Sequence, residues 1–477
     1  MMYLVKTIPE QTNKILTSSL VLKVSSIFVF GLHLLLTAVA LYCVVKYGRN
    51  IPLAEDWLLI APYTGNESDL LGWLWAQNNE HRVPLPKLVL LGLMKLTNGD
   101  FRAGMYFNVL ALSGISLAFL LFLRKQRGYT HLSDAFFPLL LLHLGNWENM
   151  VWSWQLSFVL PTILMLIFLL VALKNPLLDK PGNAFTCGII LILLPFCGGN
   201  GVLLVPFLGT WLVCCAVSLQ RTSSNNSAKN VSVILFGFAI IATLICLLYF
   251  IGYKKPDWSL PNPGILPTLL TSGKFLAYSL GPAAYSHWGL FSFTAILIVL
   301  ISIIILLNRS FSYQLLKSDP RKLLLLIFFS LFLFFALAIG WGRAALVPTV
   351  GMPIRYIIFS SPLLIICYFT WELYGRSYLK PMMLTGLMAI MLFLLPFNAR
   401  AAFYWRDWYT NGMNAVENDI TAGLTKADIA RKHKAFLIHW WEEKEIISHL
   451  QMLQNTSHSP FRQLRDKSPS TIQLQGK

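Results

Sequence analysis

The chain has 477 residues, 56% of them hydrophobic and 12% charged, with 38 Lys and Arg against 21 Asp and Glu for a net charge of +17. A soluble domain carries about 25% charged residues, and the mean hydropathy here is +0.61, which argues against a soluble enzyme, a nucleic-acid-binding module and a disordered scaffold. In so apolar a chain a basic surplus marks the cytoplasmic loops of a polytopic membrane protein rather than a nucleic-acid partner.

Polar-mixed residues precede the first apolar run, and no small-residue cleavage pattern follows it. The sequence therefore predicts a retained first span rather than a signal peptide. A hydrocarbon core needs about 20 apolar residues of helix. Runs that approach or meet this length lie at 25–47, 101–123, 132–146, 153–173, 184–198, 201–219, 231–252, 288–307, 322–340, 355–374 and 381–398. The expected fold is all-α, a polytopic membrane protein of about eleven transmembrane helices. Residues 84–97 span only about 20 Å as a helix, and 264–286 contains Pro267, Lys274 and Pro282. Both are predicted to lie in the outer interface. The expected organisation is a membrane domain, 1–399, and an outer-face tail, 400–477. The tail carries one helix at about 426–453, with Ile429, Phe436, Trp440, Ile447 and Leu450 on its apolar face, and a disordered end. The seven cysteines lie in or beside apolar runs and form neither a CxxC pair nor a Cys/His ligand set.

Placing the N-terminus inside collects Lys6, Lys14, Lys23, Arg124, Lys125, Arg127, Lys174, Lys180, Arg221, Lys229, Arg309, Lys317, Arg321, Lys322, Arg376 and Lys380 on the inner side. The acids among them are Glu10, Asp179 and Asp319. That asymmetry is the positive-inside bias, and it leaves the unusual polar residues on the outer face.

Three outer segments hold those residues. The loop after the first span carries adjacent carboxylates Glu55 and Asp56 and the cluster Asn79, Glu80, His81, Arg82, among Trp57, Trp73 and Trp75. A carboxylate desolvated at a membrane interface becomes more basic and suited to take a proton from a hydroxyl. Asp56 is favoured because Trp57 begins the apolar run beside it. The second segment, GNWENMVWSWQ, sets Glu148 and Asn149 between Trp147 and Trp152, with Gln155 entering the next span. The third, GWGRAALVPTVGMPIRY, holds Arg343, Arg355 and Tyr356. Guanidinium groups at headgroup depth suit bidentate phosphate binding, and two such charges emerging together suggest an anion between them. For each segment the plain alternative is an interfacial loop with aromatic anchors and snorkelling arginines.

A long outer loop straight after the first span, opening on the carboxylates of AED at 54–56, resembles the glycosyltransferase C superfamily. NEHR at 79–82, ENMVWSWQ at 148–155 and the Arg343, Arg355, Tyr356 set look similar to bacterial membrane proteins of that type. The resemblance implies transfer of a sugar from a polyprenyl-phosphate carrier to an acceptor (glycan, lipid or protein) on the outer face, with inversion and no nucleotide fold. The partners implied are the lipid-linked sugar and membrane lipid. The location implied is a bacterial inner membrane with the site facing the periplasm. It assigns Asp56 or Glu55 as the base and Arg343, Arg355 and Tyr356 to the donor phosphate. Glu80, His81, Arg82, Glu148 and Gln155 would orient the acceptor or support the site. No second D-x-D pair follows in a later outer loop, which leaves a requirement for a divalent cation (Mg or Mn) open. Two other classes remain: a polysaccharide ligase or polymerase, and a lipid-linked saccharide transporter or flippase.

Overall fold

The computed structural model describes residues 19–222, 226–307, 319–456 and 459–466. Lys6, Glu10, Lys14, Arg309, Lys317 and most of the tail end expected to be disordered lie outside them. Among the described residues the structure is all-helical, and the β content is two isolated bridges. Nine helices among the described residues are long and apolar enough to cross a membrane: Leu20–Tyr47, Ala103–Arg127, Ser153–Lys174, Gly199–Arg221, Asn226–Tyr249, Pro282–Leu307, Pro320–Arg343, Ile354–Tyr374 and Leu379–Thr421. The protein is an integral, polytopic membrane protein.

Two of the expected spans take another form. Residues 132–150 are a chain of short pieces, Leu132–Ala135, Phe136–Leu141, Leu144–Asn146 and Trp147–Met150. Residues 181–197 form a shorter apolar helix. Both still connect the two ends of the bundle. Asp134 is bound by Arg127 at 2.6 Å, and Glu148 by Arg355 at 2.5 Å. Arg355 begins the Ile354–Tyr374 helix, whose other end carries Glu372, 3.6 Å from Arg127. The irregular backbone of 132–150 is tolerated because it is enclosed by protein, nearly every residue from 133 to 153 being buried.

Local rules set the helix starts. Pro84, Pro181 and Pro320 occupy first-turn positions, where a missing N–H costs nothing. Pro84–Leu96 and Ile265–Ala277 are 13 residues each and have both ends at the same end of the bundle. For the second, the Asn262 amide reaches Trp341 O at 2.9 Å, and the Tyr278 hydroxyl reaches Met352 O at 2.7 Å. It packs one face on Pro320–Arg343 and Trp288–Leu307 and leaves Ile265, Leu266 and Leu269 exposed, as an interfacial helix does.

The central element is Ile354–Tyr374. Of its apolar window 94% is buried inside the protein, against at most 67% for the other eight. Its far end is pinned by a polar knot. Tyr368 donates to Asp134 at 2.7 Å, Lys380 donates to Glu372 at 3.0 Å, and the Tyr374 hydroxyl donates to Asp319 at 2.8 Å. Buried charges in a membrane protein pair in this way or are not kept.

The tail departs from its expected form. Leu379–Thr421 runs as one 43-residue helix across 399–400. The helix expected over 426–453 is two, Lys426–Leu437 and Glu443–Asn455, broken at 438–442. The break follows from the acidic run. Glu442 is the N-cap of the second helix, and the Glu445 carboxylate accepts from its backbone N–H at 2.8 Å; acids favour a helix start. Residues 459–466 pack back on these helices with Phe461 and Leu464 buried.

Gly340 fixes one close helix crossing: a Cβ there would meet Thr268 O at 2.6 Å. Gly340→Val is expected to cost about 1–3 kcal/mol through forced separation of packed elements, read as a lower unfolding temperature in detergent, with Gly342→Val, which has open space, near wild type. Reporter fusions at residues 226 and 420, which lie at opposite ends of the bundle, should report opposite sides of the membrane.

Candidate functional site

The expected site residues arrive from four stretches of chain. Leu53 is extended, and Ala54–Leu59 is a 3-10 turn. Ala54 holds a φ of +50°, a conformation that non-glycine residues adopt at a cost. The turn directs its two carboxylates differently. Asp56 is 1% exposed, and its Oδ2 accepts the Leu53 N–H at 3.3 Å, capping its own turn. Glu55 is half-buried and lines a cavity of about 580 Å³. Asp56, favoured on the sequence, does not line that cavity.

The second stretch is a tight turn. Asn78 and His81 exchange backbone hydrogen bonds of 2.8 and 2.9 Å, with Asn79 at φ +50°. Asparagine tolerates that region better than most residues. The turn sets Asn79 against Glu55, its amide donating to Oε1 at 3.2 Å, and places Glu80 and His81 on the cavity wall. Arg82 faces elsewhere: its guanidinium binds Trp75 O and Ile251 O at 2.9 and 3.0 Å, tying the loop to the end of Asn226–Tyr249.

The third and fourth stretches bring the remaining charges. Glu148, 1% exposed, accepts from both Nη1 and the backbone N–H of Arg355, at 2.5 and 2.9 Å. Arg343 binds Glu80 at 2.6 Å and donates through Nε to the Tyr356 hydroxyl at 2.8 Å. Arg343, Arg355, Tyr356 and Gln155 all line the 580 Å³ cavity. Glu148 lines an adjoining one of about 330 Å³ that shares Glu55 and Arg355. The arginines therefore do come together, but each has its own carboxylate, so their closeness requires no anion between them.

Burial governs the titration of the loop groups. It pushes the Glu55 carboxyl up, against its own backbone N–H and the Arg355 charge, while Glu148 adds to the rise. It pushes Asp56 well above the usual range, opposed by the Leu53 hydrogen bond and reinforced by Glu55. His81 is pushed down to about 4 by burial and by the charges of Arg343 and Arg355, and is neutral at pH 7. Its Nδ1 accepts from Gly199 N at 3.3 Å, which leaves the proton on Nε2.

Sequence reasoning missed the roof. His439 and Trp440, in the break between the tail helices, line the 580 Å³ cavity together with Trp258 and Asn200. Trp440 was expected on a helix face; the EEKE run that starts the next helix could have marked the break it sits in, but not the cavity it lines. A second cavity of about 470 Å³ shares Glu80, His81, Arg343 and Tyr356 and continues along Val202, Leu203, Ala338 and Ile339 of two spanning helices. Among the described residues no group of three or more His, Cys, Asp or Glu is placed to hold a metal ion.

Two outcomes follow. Removing one member of a buried pair costs about 3–5 kcal/mol, and because Arg355 is 31% exposed Glu148→Gln is expected to cost roughly 2 kcal/mol, against less than about 1 kcal/mol for Glu80→Gln in the more open pair. Thermal unfolding of the two variants checks the order. Asp56 has a folded-state value above its unfolded one, so its contribution is complete below 3.8 and lost as pH rises through the raised value. Asp56→Asn is therefore expected to fold and to gain stability relative to wild type as pH rises from about 4 to 8, read from unfolding temperatures across that range.

The chain matches no protein-family model and no curated protein. Its activity has to be read from the chemistry of the cavity itself.

Proposed function

We propose that the protein is a membrane glycosyltransferase that moves a sugar from a polyprenyl-phosphate carrier to an acceptor hydroxyl, on the outer face of a bacterial inner membrane. The observation that carries this is the meeting of Glu55, Arg343, Arg355 and Tyr356 on one cavity. Burial keeps Glu55 basic, and Asn79 orients it.

Glu55 takes the proton of the acceptor hydroxyl as its oxygen bonds to the anomeric carbon. The bond from that carbon to the carrier phosphate breaks with its electron pair on the phosphate oxygen, and the anomeric centre inverts. Arg355 and Arg343 stabilise the growing charge on the phosphate. Glu148 holds Arg355 in place. Glu80 occupies Arg343 at a pair 20% exposed on each side, open enough for a phosphate to take over its hydrogen bonds. The neutral His81 adds a donor without a charge. The 470 Å³ cavity, polar where it meets the arginines and apolar between the helices, has the composition to accept a phosphate and the first isoprene units.

The test is release of polyprenyl phosphate from a panel of short-chain polyprenyl-phosphate hexoses and pentoses, with membrane extract as acceptor. Glu55→Gln is expected to lose about 10²–10⁴-fold in rate as a removed general base. Arg355→Lys is expected to lose about ten- to a hundredfold, the worth of a charge-assisted hydrogen bond of roughly 1.5–3 kcal/mol. The acid limb of the rate profile should sit above the ordinary carboxylate range, because Glu55 acts in its deprotonated form. Full turnover by folded Glu55→Gln contradicts the assignment of the base. Carrier movement across vesicles without phosphate release favours the flippase.

A further inference from the structure

We infer that the roof of the cavity is a carbohydrate subsite, and that the acceptor is a glycan rather than a protein or a simple lipid. This rests on the transferase reading for its name as an acceptor site, but not for the binding it describes.

Beside Val83, Ser157, Phe158, Cys197 and two histidines, two kinds of residue recur in the lining of the 580 Å³ cavity away from the charged pairs. One is indole. Trp258, from the segment between Tyr249 and Ile265, is 45% exposed, and Trp440, from the tail break, is 42% exposed; Trp152 and Trp154 line the same cavity and are buried. The other is neutral amide: Asn78, Asn79, Gln155 and Asn200. Gln155 is 1% exposed, and its Oε1 is buried without a hydrogen-bond partner. An unmet acceptor at a cavity wall is costly unless a ligand or water supplies a donor. A polyhydroxylated ring meets both kinds of group, its C–H face lying on an indole and its hydroxyls donating to and accepting from amides.

Trp440 is presented by construction. Phe436 packs on Trp408, ring centroids 4.9 Å apart, and a Cβ at Gly412 would collide with the Phe436 ring. Trp441 packs edge-on against Trp57 at 6.1 Å, two residues from Glu55. The neighbours on both sides are anchored, one to the Leu379–Thr421 helix and the other to the loop after the first span, while Trp440 itself contacts His439 and stays open. An indole serving only as a membrane anchor would have no need of amides in the same cavity, nor of attachment to the loop that carries Glu55.

Binding of the full chain in nanodiscs, free of sugar-headed detergent, to an array of defined oligosaccharides tests the subsite without donor or turnover. Wild type is expected to bind a subset of glycans. Trp440→Ala is expected to lose at least tenfold in affinity and Trp258→Ala to weaken binding, while Trp440→Phe keeps most of it. Unfolding temperatures of the variants should stay near wild type, since both tryptophans are exposed. No glycan bound by wild type, or wild-type affinity in Trp440→Ala, overturns the proposal. Phosphate release by a wild type that binds no glycan would reject the subsite alone. Glycan binding without any phosphate release would reject the transferase reading alone.

Discussion

The ion pair between Arg355 and Glu148 is the joint on which the site depends. Glu148 is fully buried and grips Arg355 twice, by side chain and by backbone. The Asn149 amide adds a hydrogen bond to Arg355 O at 3.0 Å. These bonds fasten the irregular segment 144–155 to the start of the most enclosed of the spanning helices described. A carboxylate alone at that depth would shed its charge or the segment would move; with arginine it becomes a fixed point. Glu55 senses both partners of the pair electrostatically, so its basicity depends on how well they neutralise each other. At the other end of the same helix Glu372 lies between Arg127 and Lys380. The helix is held at both ends by charge, which keeps Arg355 from sliding along the membrane normal.

The charge balance of the cavity separates two kinds of arginine. Arg355 is seated by a carboxylate inaccessible to solvent, and any ligand adds to that arrangement. Arg343 is paired with a carboxylate on a surface turn, whose position depends on two backbone hydrogen bonds and a left-handed Asn79. The first arrangement suits a permanent electrostatic wall and the second an exchangeable contact. Glu80 and Arg343 stand where the two larger cavities meet, which is where the proposed transfer asks a phosphate to replace Glu80.

Much of this architecture could be read from the chain because apolar length and loop charge are strong, additive signals. The spans that become regular helices sit within a few residues of their expected places, except that the last runs on from its expected end at 398 to Thr421, and Glu55, Glu80, His81, Gln155, Arg343, Arg355 and Tyr356 do share one chamber. What failed to show were features decided by single turns. Whether Glu55 or Asp56 faces the cavity depends on the phase of a six-residue 3-10 turn, and Asp56 is consumed in capping it. Residues 132–146 carry the hydropathy of a helix, but they are enclosed by neighbouring protein, so regular geometry is not enforced there. Arg82 has the composition of a site residue and serves as a strut. The roof from His439 and Trp440 depends on tertiary contacts between residues more than 380 positions apart, Trp57 and Trp441, which no local pattern encodes.

The most direct measurement is a cryo-EM structure of the protein in nanodiscs with a non-hydrolysable polyprenyl-phosphonate sugar. The account predicts phosphonate density within hydrogen-bonding distance of Arg355 and of Arg343. Glu80 should be turned away from Arg343, Glu148 should still hold Arg355, and the Glu55 carboxylate should face the anomeric carbon. Density for the headgroup elsewhere on the protein, with both arginine–carboxylate pairs intact and Glu55 remote from the sugar, would contradict it.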